Sequence, residues 1–502
     1  MDRQAIRELG FPGMVLMERA GLQVLHQALA LLGDARGPVC VLCGKGNNGG
    51  DGFVIARELH MRGLAVSVLV CAEIGELTGD AAANRDIATR LDVPILYQPG
   101  IRAVRSALQS SALVIDALLG TGITGAVRPP LTKIIDAVND SAVPVVSVDI
   151  PSGLPSDTGQ PQGPCIRATA TVTLAAYKRG LLLQPGRELA GALTVAEIGI
   201  PPAVLDNPDI PIQLTELQDV AAMLPLLSPT RHKSSAGKLL IIAGSRGMTG
   251  AATLSGQAAM RVGTGLTIVA APESCHNVLE EKLTEVMTLP LPETEDGTLD
   301  IFAVDALGEQ LAWADTVAIG PGLGRNPRTQ QVVIDLIQRT DLPLVIDADA
   351  LFALAEHRKK LPTLPAHTIL TPHEGEFARL MGCAAKDVAA DRIGMALSGA
   401  EKLGATVLLK GAPTIVATPN GRAFINPTGN PGLATGGSGD VLTGVIGGLL
   451  AQGAPTVEAG ITGACVHGLA GDLAADDAGE RGMTAGDVVE FLPDALRALE
   501  TT

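Results

Sequence analysis

Glycine-rich loops at the ends of apolar runs, each with a carboxylate close by, carry the chemistry this sequence offers. Gly44-Lys45-Gly46-Asn47-Asn48-Gly49-Gly50-Asp51-Gly52 follows VCVLC, and Gly120, Gly122 and Gly125 follow ALVIDALL, so each fits G-x-G-x-x-G at a strand end. Such a loop, backed by a helix N-terminus, turns backbone N–H groups towards phosphate; the same spacing also makes a plain tight turn. The first loop is polar beyond its glycines. Two carboxamides and a carboxylate stand where a dehydrogenase would have small apolar residues, which suits polar recognition or ion binding. Asp116 and Asp149 close the apolar runs of LVIDALLG and VVSVDIPSG, where a side chain faces the ligand crevice of an open α/β sheet or caps the next turn.

In the second half, Asn430-Pro-Gly-Leu-Ala-Thr-Gly436-Gly437-Ser438-Gly439-Asp440 precedes the helical run VLTGVIGGLL. Backbone N–H groups, a helix dipole and one carboxylate converge there, as phosphoryl transfer requires. Gly320-Pro-Gly322-Leu-Gly324 and Lys410-Gly411-Ala412-Pro413-Thr414 also follow apolar strands. His373 stands beside Glu374 and Glu376. Zinc sites usually show spaced His or Cys pairs, so His373 reads as a hydrogen-bonding ligand contact or as a helix-opening residue. Neither a G-K-[ST] Walker loop nor a G-x-S-x-G elbow occurs, which removes the nucleophile of a serine hydrolase.

These loops need strands and helices to hold them. Apolar runs alternate with helical patterns through residues 1–200, the mark of βαβ units around a parallel sheet. Prolines at 201, 202, 208 and 211 interrupt the pattern, and alternation restarts at KLLIIAGS. The boundary is expected near 205–230, giving α/β domains at 1–210, Rossmann-like, and 225–502. The length of 502 residues suits two large domains, and 46% hydrophobic with 18% charged residues excludes a disordered chain.

The net charge of −16 opposes phosphate backbones and anionic lipid, so neither nucleic acid nor membrane is expected as a partner. Seven scattered cysteines suggest free thiols in a reducing compartment. Cys40 and Cys43 form a C-x-x-C inside a strand-like run and read as buried thiols. The opening residues lack an apolar signal region and no run approaches a membrane span, so a cytoplasmic protein is expected. Aromatic residues make up only 2%, so backbone and aliphatic contacts, more than stacking, are expected to hold ligand rings.

In combination and in this order, the motifs resemble the bifunctional NAD(P)H-hydrate repair family. LMERAG, GKGNNGGDGFVIAREL, DALLGTGITG, VDIPSGLPSDTG and KRGLLLQPGRELAG are similar to the hydrate epimerases. RHKSSAGKLLIIAGSRGMTGAATLSGQAAMRVGTGL, GPGLG, DADAL, TPHEGE, LLKGAPT and NPGLATGGSGDVLTG resemble the hydrate dehydratases of the ribokinase-like superfamily. Part of the family's opening helix is expected to be missing ahead of LMERAG. The family's G-T-G-G-T-G-D is here Ala434-Thr-Gly-Gly-Ser438-Gly-Asp440, which keeps the hydroxyl.

The resemblance implies hydrate binding by Asn47, Asn48, Gly49, Gly50 and Asp51, by Gly120, Thr121, Gly122, Ile123, Thr124, Gly125 and Ala126, and by Asp149, also the candidate acid/base. It implies potassium on Asn48, Asp116 and Ser152. For the dehydratase it implies hydrate contacts at Ala251, Gly322, His373 and Asp440, with Asp440 catalytic, and nucleotide contacts at Lys410, Gly411, Ala412, Pro413, Thr414 and Gly439. The implied substrates are NADHX and NADPHX, with magnesium, ADP as phosphoryl donor yielding AMP and phosphate, and a homo-oligomeric assembly. A small-alcohol or vitamin kinase with a regulatory first domain uses the same loops. A dehydrogenase with Glu73 on the ribose is disfavoured by the polar first loop.

Overall fold

The computed structural model describes residues 2–33, 37–123, 125–205, 207, 209–358 and 363–501. The chain divides into two compact units, Met1–Asp209 and Ile210–Thr502.

The apolar run Val39–Cys43 and the strand Leu113–Ala117, apolar but for Asp116, are buried along their whole length, as strands covered on both faces must be. They lie in a seven-stranded parallel sheet ordered Ile95–Tyr97, Val66–Val70, Val39–Cys43, Leu113–Ala117, Val145–Val148, Ala170–Leu174, Ala192–Ala196. Helices Gly13–Leu32, Asn47–Met61 and Gly79–Arg90 pack on one face, and Ile101–Gln109 and Leu131–Asn139 on the other. Strand direction of travel reverses beside Val39–Cys43, and an open sheet binds ligands outside the strand ends at that switch. Gly44 and the segment after Ala117 stand there. Cys40 and Cys43, three apart on one strand, enter opposite cores, and all seven cysteines are free.

The second sheet has ten strands: Met287–Leu291, Leu266–Pro272, Lys238–Ile242, Thr316–Ile319, Leu344–Ile346, Thr368–Leu370, Thr406–Leu409, Ile415–Ala417, Ala423–Ile425 and Ile212–Leu214. It is parallel as far as Thr406–Leu409, then turns back in an antiparallel hairpin. Its switch lies between Lys238–Ile242 and Thr316–Ile319. The proline-rich stretch departs from the expectation that it holds no element, because Ile212–Leu214 pairs with Ala423–Ile425 at the sheet's margin. Proline is tolerated there: Pro211 lacks a donor, but its carbonyl accepts from Ala423 N at 2.8 Å.

Candidate active sites

In the first unit the helix starts at Asn47, with Gly46 as its N-cap. Asn47 through Asp51 are therefore its first turn and not a free loop. Close packing produces this. A Cβ on Gly44 would lie 1.8 Å from the Leu118 carbonyl oxygen, and one on Gly49 2.1 Å from that of Gly44, so two strand exits meet backbone to backbone. Gly120, Thr121, Gly122, Ile123, Gly125 and Ala126 continue from there along a largely exposed loop; Thr124 lies outside the described residues.

Asn48 and Ser152 meet at Leu119, and Asp116 joins them through Ser152. Asn48 Nδ2 donates to the Leu119 carbonyl at 3.1 Å, and Ser152 Oγ accepts from Leu119 N at 2.9 Å. Asp116, fully buried, accepts from Ser147 Oγ at 2.8 Å, Ser152 N at 2.8 Å and Ser152 Oγ at 2.5 Å. Burial pushes its carboxyl above the ordinary carboxylate range, against the pull of these hydrogen bonds. No lysine or arginine among the described residues forms an ion pair with it.

Asp149 takes the left-handed backbone with φ of 66°, a region open to Asp more readily than to branched residues. Its carboxylate accepts from Leu174 N at 2.9 Å and Thr173 Oγ1 at 3.3 Å, and pairs with Lys178 Nζ, which also donates to the Leu174 carbonyl at 2.7 Å.

In the second unit Asp440 lies in the first turn of the helix Ser438–Ala451. That helix packs closely on Thr249–Arg261: Ser255 Oγ donates to the Asp440 carbonyl at 2.8 Å, and a Cβ on Gly444 would reach 2.1 Å from the Ser255 carbonyl oxygen. Ala251 opens the partner helix, and Gly322 lies against it, its virtual Cβ 3.0 Å from that of Ala251. Beneath the Ser438 turn, His467 Nε2 donates to the Ser438 carbonyl at 2.9 Å. Burial pushes this imidazole down to about 4, so it is neutral at pH 7.

His373 caps the helix Glu374–Met381, its Nδ1 accepting from Gly375 N at 3.0 Å and Glu376 N at 3.3 Å. This leaves the proton on Nε2, which lies 3.4 Å from Glu376 Oε1. The segment Lys410–Thr414 is held from behind by Arg392, whose guanidinium donates to the Lys410 carbonyl at 3.2 Å and the Pro413 carbonyl at 3.1 Å and pairs with Glu374.

Residues 239–494 match the NAD(P)H-hydrate dehydratase family and residues 13–180 the YjeF-related protein N-terminus. The bifunctional NAD(P)H-hydrate repair enzyme Nnr of Moorella thermoacetica is 44% identical over 505 residues, covering 100% of this chain and 95% of that protein. The chain belongs to the bifunctional NAD(P)H-hydrate repair enzymes. The Escherichia coli repair enzyme is 36% identical, covering 98% of this chain and 91% of its own. Among solved structures, the ADP/ATP-dependent NAD(P)H-hydrate dehydratase of Bacillus subtilis, co-crystallised with ATP and magnesium, superposes with a TM-score of 0.51 at 30% identity, over 58% of this chain and 100% of that one.

Several residues of this repair enzyme's crevices are given no role by the motifs, although Lys178 opens KRGLLLQPGRELAG and Asp347 opens DADAL. Lys178 stands 29 positions beyond Asp149, its partner. Arg392 lies in the ordinary-looking helix Arg392–Leu403. Asp347 reads as a helix cap, yet its side chain makes no cap hydrogen bond.

Proposed function

We propose that the first unit interconverts the epimers of NAD(P)H hydrate and that the second dehydrates the S epimer with ADP, releasing AMP and phosphate. The observation that carries this is the placement of the Asp440 carboxyl in the first turn of a 14-residue helix behind the Gly436–Gly439 backbone. Asp440 takes the proton of the ring hydroxyl as that oxygen attacks the terminal phosphoryl of ADP, and AMP leaves. The N–H groups of the helix turn stabilise charge on the moving phosphoryl. The ring nitrogen's lone pair then expels phosphate, and loss of a proton from the adjacent carbon restores the double bond. Ala251, Gly322 and His373 Nε2 frame the hydrate; Lys410 through Thr414 and Gly439 hold the nucleotide.

The nearby carboxylates are engaged by the protein: Asp349 by Gly324 N at 2.9 Å and Arg325 at 3.4 Å, Asp347 by Lys410 and Thr443. A magnesium ion would therefore enter with the nucleotide and, when bound, would supply neutralising positive charge beside Asp440.

In the first unit, Asp149 moves the hydroxyl proton while the carbon–nitrogen bond opens and recloses on the other face, and Lys178 orients its carboxylate. Asn47 through Asp51 and Gly120 through Ala126 enclose the hydrate. A buried carboxylate without a basic partner and ringed by oxygen donors fits a hard monovalent cation, so Asn48, Asp116 and Ser152 would hold potassium. When bound, it supplies positive charge at the crevice. All seven cysteines are free, which supports a reducing, cytoplasmic setting, and no helix among the described residues is long and apolar enough to cross a membrane.

The test incubates the full chain with mixed epimers of NADH hydrate, magnesium, potassium and ADP, with ATP as control, and follows dihydronicotinamide absorbance. Full recovery is expected. No recovery with either nucleotide overturns the reading, and a stable phosphorylated product favours the kinase. Asp149→Asn is expected to slow epimer interconversion by roughly 100-fold or more, leaving recovery partial before spontaneous epimerisation completes it. Potassium is expected to raise the melting temperature relative to a bulky organic cation, and Asp116→Asn to remove the difference; equal melting in both salts refutes the cation site.

A further inference from the structure

Asp347 is a carboxylate that the proposed chemistry leaves without a task. It ends the strand Leu344–Ile346 and is 1% exposed; burying it is costly unless both oxygens are satisfied. Oδ1 accepts from Lys410 Nζ at 2.8 Å and Oδ2 from Thr443 Oγ1 at 2.9 Å. These partners belong to the two elements that build the anion site. Lys410 opens the 410–414 segment, and Thr443 lies three residues after Asp440 in the same helix, on the same face. A Cβ on Gly439 would lie 3.2 Å from Lys410 Nζ and 3.8 Å from Asp347 Oδ2. The ammonium thus sits against the helix turn where phosphoryl charge must be stabilised.

We infer that Asp347 is a positioning residue for phosphoryl transfer, pinning the Lys410 ammonium beside the Asp440 helix turn and, through Thr443, holding that helix in register with the 410–414 segment. The inference rests on the dehydratase reading and deepens it.

The charge of Asp347 has a second effect. Burial pushes Asp440 up to about 6; Asp347 adds to this, Lys410 opposes it and Asp349 adds a little more. The neutral His467 also lies under this turn. Burial works against the charge on Lys410, but Asp347, Glu376 and Asp440 outweigh it and hold the ammonium above its ordinary value. Asp347 therefore keeps Lys410 charged and Asp440 basic enough to take a proton.

The test uses the full chain with the S epimer of NADH hydrate, ADP and magnesium, and reads kcat and KM across the acid limb of the pH profile. Asp347→Asn keeps the shape and removes the charge. Its kcat is expected to fall roughly 10- to 100-fold, the KM for ADP to change less than about threefold, and the acid limb to move down by about one pH unit. A carboxylate that only packs would lower kcat and leave the limb in place. An unmoved limb, or an unchanged kcat, overturns the inference. Thr443→Val keeps the charge but cuts the tether, so its kcat should fall about tenfold with an unmoved limb; this variant decides the matter if Asp347→Asn does not fold, and a wild-type kcat in it overturns the inference. Inactivity of the wild type refutes the dehydratase reading itself, and is distinct from an active wild type whose variants behave alike.

Discussion

Asp440→Asn is expected to lower the dehydration kcat by about a thousandfold while epimer interconversion stays at the wild-type rate. The amide keeps the size of the carboxyl and its place in the helix turn but cannot take the hydroxyl proton, and a positioned base contributes about 10²- to 10⁴-fold. Stability should not suffer. Asp440 is held at about 6 in the folded chain against 3.8 as its ordinary value. Ionising it thus opposes folding as pH rises from about 4 to about 6, a cost present in full at neutral pH and absent from the amide. The wild-type rate should fall as pH drops through about 6. The measurements are single-turnover dehydration, an epimerisation assay and a melting curve. A variant retaining a tenth of the wild-type kcat, with proper folding, would remove Asp440 from the chemistry.

Gly44→Ala should disable the other activity. Its new methyl would stand 1.8 Å from the Leu118 carbonyl oxygen, where carbon and oxygen normally keep about 3.3 Å. The obstacle is backbone at the end of a central strand, so no rotamer change relieves it. The 118–119 segment must move, taking the Leu119 carbonyl away from Asn48 and Leu119 N away from Ser152 Oγ. A loss of about 3 kcal/mol in the first unit's stability is expected, with epimerisation down on the order of 100-fold and dehydration of the pure S epimer retained. Wild-type epimerisation in this variant would mean that the contact between the strand exits does not shape the site.

Local patterns carried the strand exits well. VCVLC, the LVI of LVIDA and the LLII of KLLII are apolar runs that need cover on both faces, and glycines that follow a central strand mark where backbone meets backbone. Asp116 and Asp149 stood out because each closes an apolar run at a strand exit, and Asp440 because it ends a glycine-rich loop ahead of a helix. Lys178 and Asp347 lie inside the segments KRGLLLQPGRELAG and DADAL, but their roles, like that of Arg392, were not legible there, since their partners are brought to them by the sheet and not by spacing along the chain. Asp347 and Thr443 lie 96 residues apart, and no periodicity links them. His373 was legible as chemistry beside two glutamates, but the same arrangement makes a helix cap, and the structure shows that its Nδ1 serves the cap. Proline hid Ile212–Leu214, because the pattern that excludes a central strand permits a marginal one.

That marginal strand sets an order of events during synthesis. Ile212–Leu214 leaves the ribosome before any other strand of its unit, yet its partner Ala423–Ile425 follows some two hundred residues later, so the earliest-made strand is among the last to find its place. Until then its backbone donors and acceptors are open to a wrong neighbour, and the three-residue length of this strand limits how firmly such a neighbour can hold. A dehydratase cut free at residue 225 would be born without this strand and would leave Ala423–Ile425 as a bare rim, whereas one beginning at Ile210 would keep the seam closed.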